Sequence, residues 1–196
     1  MTRTRSATLA GATFAAALAP SIASAHPAIY HVMSFVAGAE HPLTGLDHIL
    51  AMVAVGLWES LKGGKALWAW PAAFVGVMLV GGALGMAGVA MPFVEPGIAA
   101  SIVVLGLLVA SAAEVPVAVG ALLIGVFALF HGHAHGAEMP ATGQAALYAL
   151  GFALATAALH GVGIAAGLAS RAQAWRNVIR FGGAATAAAG ALFFLV

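Results

Sequence analysis

The chain has 196 residues, 63% of them hydrophobic and only 7% charged, with a net charge of +1 and no cysteine. A soluble domain carries about 25% charged residues, so this composition, with a mean hydropathy of +1.05, makes the bilayer the solvent for most of the chain. The small net charge speaks against a nucleic-acid partner, and the missing cysteines exclude disulfides, thiolate metal sites and cysteine nucleophiles.

Residues 1–25 read as a secretory leader. Arg3 and Arg5 form a basic start, Ala7 to Ala19 an apolar stretch, and Ala23-Ser24-Ala25 an A-x-A cleavage box. The alternative is a retained anchor helix, although the run is short for a span. Cleavage predicts a mature chain that begins at His26 on the far side of the membrane and forms one transmembrane domain over 26–196. Between His26 and Glu40 there is room for a short helix or re-entrant piece outside the bundle.

A span needs about 20 apolar residues and satisfies its backbone as a helix. Six such stretches follow, at 43–61, 66–89, 96–113, 115–135, 142–169 and 174–196. The fold class expected is therefore all-α, a polytopic bundle of six spans. Lys62 and Lys65 lie between spans one and two, and Arg171, Arg176 and Arg180 between spans five and six. With six spans these loops share one side, which the positive-inside rule makes cytoplasmic. Both mature termini then face the periplasm of a bacterial inner membrane, as the leader independently requires. Gly81-x-x-x-Gly85 and Gly163-x-x-x-Gly167 give small-residue spacing for close helix packing. That spacing is compatible with either a monomer or a homo-oligomer.

Eight histidines stand out in so apolar a chain. His26, His31, His41 and His48 precede or open the first span; His131, His133 and His135 close the fourth, and Glu138 follows one turn later. Topology thus gathers seven of the eight at the outer face, with Asp47 beside them, and leaves His160 inside the fifth span. Pro42 suits the first turn of a helix, and His41 and His48, seven residues apart, would share a face of it, with Asp47 offset by about 100°. On the fourth helix His131, His135 and Glu138 follow i, i+4, i+7 and project from one side, while His133 points nearly opposite. Two such faces together offer imidazoles and carboxylates suited to a borderline divalent ion, Ni²⁺, Co²⁺, Zn²⁺ or Cu²⁺. Ionisable residues inside a membrane are costly and usually functional.

Plainer roles compete at single positions. His31 and His133 read as hydrogen-bonding anchors at the interface. Asp47 and Glu95 each stand at a helix start, where either could balance the helix dipole or capture metal. His26, as a mature N-terminus, could chelate through its α-amine and ring. His160 is either a deeper metal site or a hydrogen bond between helices.

The run HPLTGLDHILAMVAVGLW (His41 to Trp58) with FHGHAHGAE (Phe130 to Glu138) resembles the HupE/UreJ family of membrane proteins. The likeness covers the whole mature chain. The family is associated with nickel-dependent hydrogenase and urease systems and regarded as nickel or cobalt permeases. The resemblance implies metal-handling positions at His41, Asp47, His48, His135 and Glu138, with Glu95 second to them. It implies a divalent metal as cargo, nickel first and cobalt next, taken from periplasm to cytoplasm, with no prosthetic group. No G-x-x-x-x-G-K-[ST] loop is present, so no nucleotide partner is expected. Two competitors remain: an intramembrane metalloenzyme with an open metal position, and a membrane metal-binding protein that does not conduct. No G-x-S-x-G nucleophile motif supports the enzyme, and the short cytoplasmic loops leave no room for a signalling domain.

Overall fold

The structure, a computed structural model, describes residues 27–139, 144–169 and 172–194. The expected leader, His26 and the side chain of His31 lie outside the described residues. The described residues contain seven helices and no strand: α1 (Pro27–Thr44), α2 (Leu46–Lys62), α3 (Ala66–Met86), α4 (Val94–Ser111), α5 (Val117–Ala137), α6 (Ala145–Leu168) and α7 (Gln173–Leu192).

Helices α3, α4, α5 and α6 are long and apolar enough to cross a membrane. The other two expected spans fall short of that standard for different reasons. Helix α2 has 17 residues, about 26 Å of rise against a hydrocarbon core of about 30 Å, and it carries Asp47, Glu59 and Lys62. Helix α7 opens on the polar run Gln173 to Asn177. Helix α2 needs no continuous apolar surface, because it packs against α1, α3, α4, α6 and α7; α7 instead packs mainly along α4.

The chain ends its helices where local chemistry dictates. Gly63 closes α2 at φ 68°, donating its N–H to the Glu59 carbonyl at 2.8 Å, a positive φ that glycine adopts without a Cβ penalty. Pro116 precedes α5, where its fixed φ suits a helix start. The expected first span is corrected at its beginning. Pro42 does not open that helix; it sits in the last turn of α1, whose end is closed by the Thr44 hydroxyl donating to the His41 carbonyl at 2.8 Å. The break falls at Gly45, in extended conformation (φ −89°, ψ 117°), where a Cβ would lie 2.7 Å from Asp47 Oδ1. Nor does α1 stand outside the bundle, since it packs along α6.

The tightest seams join helices that are not neighbours in sequence: α3 with α5, α4 with α7 and α2 with α6. A Cβ on Gly81 would meet the Leu129 carbonyl, and one on Gly85 the His133 carbonyl; Gly132 and Gly136 sit as closely against the carbonyls of Met78 and Gly82. These pairs advance together, so α3 and α5 run parallel. On α2 and α6, Gly56 abuts His160 while Ser60 abuts Gly167, again parallel. Gly106 meets Gly183 and Gly190 meets Val103, so α4 and α7 are antiparallel. The helix directions therefore alternate from α2 to α7. At the end away from the histidines, Trp58 and Trp70 pack with ring centroids 4.4 Å apart. Their indoles donate to the carbonyls of Ala113 and Val117, each at 2.8 Å, holding the α4–α5 turn.

Candidate metal centre

Three helix ends converge at the histidine-bearing end of the bundle. The last turn of α1 brings His41, the first turn of α2 brings His48, and the last two turns of α5 bring His131 and His135, with Glu138 just beyond. The break at Gly45 is what allows this. His41 and His48 do not share one helix face, as the spacing suggested; they approach His135 from two different helices.

The outer triad is His41, His135 and Glu138. His41 Nε2 lies 2.8 Å from His135 Nδ1 and 3.1 Å from Glu138 Oε2, and the third edge, His135 Nδ1 to Glu138 Oε2, is 3.3 Å. An octahedral ion with bonds of about 2.1 Å separates its adjacent ligands by about 3.0 Å, so three atoms at these spacings match one face of such an ion. Glu138 is exposed and His41 half-buried, which leaves this triad open to water.

The inner triad is His48, His131 and His135, whose donor atoms lie within 4.8 Å of one another. His48 and His131 are wholly buried. The Ser101 hydroxyl donates to the Ile98 carbonyl at 2.6 Å and lies 2.9 Å from His131 Nε2. Its proton being committed to Ile98, Ser101 can only accept from Nε2–H. The bare lone pair of His131 is therefore on Nδ1, which is buried and has no hydrogen-bond partner. His48 likewise has Nε2 3.2 Å from a hydroxyl, Thr156 Oγ1, and Nδ1 buried without a partner. Fixing one ring nitrogen by a hydroxyl so that the other faces a metal is the usual way a histidine ligand is oriented. His135 belongs to both triads: Nδ1 faces outward, and Nε2 is buried without a partner. Phe152 packs against His41, His48 and His135 at centroid distances of 6.1, 5.2 and 5.1 Å, walling the cluster on the α6 side.

The remaining candidates are placed elsewhere. Asp47 is half-buried and joins neither triad. With Glu95, exposed in the first turn of α4, it lines an open recess of about 210 Å³ together with Phe193 and Phe194. His133 is buried and donates from Nε2 to the Val89 carbonyl at 2.6 Å, the anchoring role expected of it. His160 is buried in α6 with Glu59 of α2 opposite, Nδ1 to Oε1 3.5 Å. Sequence reasoning passed over Glu59, Ser101 and Thr156. A glutamate alone in the apolar run MVAVGLWESL was a visible signal; the two hydroxyls were not, because serine and threonine sit easily in apolar helices.

The chain matches the HupE / UreJ protein family over residues 14–193. It is 51% identical over 181 residues to Protein HupE of Rhizobium leguminosarum bv. viciae, spanning 91% of this chain and 93% of that relative. No solved structure matches it.

Proposed function

The chain belongs to the HupE/UreJ family, and on that premise we propose that it is a permease, not an enzyme, taking a divalent transition metal from the periplasm to the cytoplasm across a bacterial inner membrane. Nickel is the first cargo to test and cobalt the second. The observation that carries this reading is His135, one imidazole shared by a water-reachable triad and a buried one. Metal captured by His41 and Glu138 has its next ligands, His48 and His131, already oriented one step inward. Alternating helix directions support six crossings, with α2 shielded by its neighbours and both mature termini outside. Asp47 and Glu95, at the rim, concentrate cations beside the triads.

No nucleotide is required. The membrane potential favours a divalent ion moving inward by about 4.6 kcal/mol per 100 mV, twice the single-charge figure. Shedding water is the step the site must ease, and exchanging waters for imidazoles and a carboxylate in sequence does so without a bare ion in hydrocarbon.

The test is ⁶³Ni²⁺ uptake into metal-starved cells at matched membrane levels of wild type and His135→Ala, with unlabelled Co²⁺, Zn²⁺ and Cu²⁺ as competitors. The expected result is a loss of at least 10-fold in His135→Ala, with Co²⁺ the strongest competitor after Ni²⁺. Wild-type uptake no greater than that of cells lacking the protein, for every metal tried, would overturn the transport reading.

A further inference from the structure

Below the histidine triads, α2 and α6 bury a second set of ligand-type groups. Glu59 is fully buried and His160 is 1% exposed, within an apolar bundle where an unpaired carboxylate is among the costliest groups to place. Neither oxygen of Glu59 has a hydrogen-bond partner, and neither ring nitrogen of His160 has one. Their closest approach, 3.5 Å from His160 Nδ1 to Glu59 Oε1, is longer than the 2.7–3.2 Å typical of an N–H···O hydrogen bond. A simple hydrogen bond between helices therefore leaves both groups poorly satisfied.

The backbone holds the two side chains opposite each other. Gly56, one turn before Glu59, is pressed against the His160 carbonyl, where any Cβ would collide; Gly163, just past His160, is pressed against the Val53 carbonyl. Glu59 follows His48 by eleven residues on α2, close to three full turns, so both project from the same face about 16 Å apart along the axis. Phe74 of α3 stands between the levels, its ring centroid 6.1 Å from His131 and 5.0 Å from His160. Lys62, at the cytoplasmic end of α2 in the proposed orientation, is one turn further on.

We propose that Glu59 and His160 form an inner metal site, a second station for the same divalent cargo, separated from the outer cluster by the ring of Phe74. The inference rests on the inward path proposed above and names the stop where the ion leaves its imidazole cluster for a carboxylate. A cation supplies a partner for the Glu59 oxygens and for the one lone pair of the His160 ring, and a carboxylate with an imidazole is a suitable pair for a borderline divalent ion. The Glu59 carboxyl offers the ion oxygen ligands beyond Phe74, and the nearby end of α2 gives it a short exit.

The experiment is Co²⁺ binding to the purified full chain in lipid nanodiscs, followed by its visible d–d absorption and by bound metal per chain. Wild type is expected to bind two ions, one at the outer cluster and one below it. Glu59→Gln and His160→Asn are each expected to bind one, and to lower uptake in cells about 10-fold. A chain silenced outside, His48→Ala with His135→Ala, is expected to retain one Co²⁺ whose X-ray absorption shows one imidazole and otherwise oxygen ligands. Full stoichiometry in folded Glu59→Gln and His160→Asn would overturn the inner site, as would a silenced chain that binds no metal. If His135→Ala leaves stoichiometry intact while Glu59→Gln removes one ion, the inner site stands and the outer reading fails.

Discussion

At its outer end the ligand-bearing face of α2 meets donors that answer one another: His41, His135 and Glu138 form a closed triangle with edges of 2.8 to 3.3 Å, within reach of water. Three turns inward, Glu59 and His160 face each other across 3.5 Å with no hydrogen-bond partners. Between them, His48 and His131 are half-answered, each held at one nitrogen by a hydroxyl and bare at the other. Donors that satisfy one another can release an ion cheaply, because the empty site is already content. Donors without partners gain more from an ion and lose more when it leaves. The gradient from answered to unanswered groups runs down the bundle beside α2, and it is a gradient of cost in the empty protein.

The comparison breaks most completely at the seam that sets the outer cluster. Gly132 lies against the Met78 carbonyl between His131 and His133. Gly132→Leu should push α5 off α3 and reduce monodisperse protein, measured by fluorescence-detected size exclusion, to about a tenth of wild type or less, overpacking of backbone contacts being strongly destabilising. Normal yield from that variant would show that the seam is looser than the geometry implies.

The next largest effect should come from the half-answered tier. His131→Ala removes an imidazole of the inner triad outright, and Co²⁺ affinity in nanodiscs should fall about 100-fold. Ser101→Ala and Thr156→Val leave the imidazoles and remove what orients them; second-shell changes of this kind cost about 10- to 100-fold, and the low end is expected here. If Ser101→Ala matches His131→Ala, the hydroxyl is a ligand and not an orienter.

The smallest effect should fall on His133, whose ring donates to the Val89 carbonyl and joins neither triad. His133→Ala should leave Co²⁺ affinity unchanged. Losing one buried hydrogen bond costs about 1 kcal/mol, which lowers the melting temperature of a chain this size by about 2–4 °C. A change in metal affinity would move His133 into the site.

Much of this architecture was legible before any coordinates. Hydrophobic runs and the Lys62-to-Lys65 break locate the helices from α2 onward, and the two histidine motifs point to one end of the bundle. What the sequence hid was direction. Pro42 is tolerated at both a helix start and a final turn, so its presence did not reveal that Gly45 makes the break. Asp47 and His48 are adjacent, and the 100° between adjacent side chains sends His48 into the triads and Asp47 to the recess with Glu95. Spacing put His131 on one side of its helix with His135 and Glu138, but the resemblance ranked it behind them; it is fully buried in the inner triad, its Nε2 beside Ser101 of α4. Whether α2 can be short depends on what surrounds it, and neighbours that pair across intervening helices are not written in local sequence.

One imidazole serves both triads, and a neutral ring has a single lone pair to give. His135 can therefore hold an ion above or below, never one on each side. On the proposed path the outer cluster would act as a turnstile: a second ion would wait until the first had moved on, and the ring's proton would change nitrogen between the two positions. Raising external metal lengthens the queue without shortening the step, so uptake should saturate along a simple hyperbola with a Hill coefficient of about 1 at this single shared ligand.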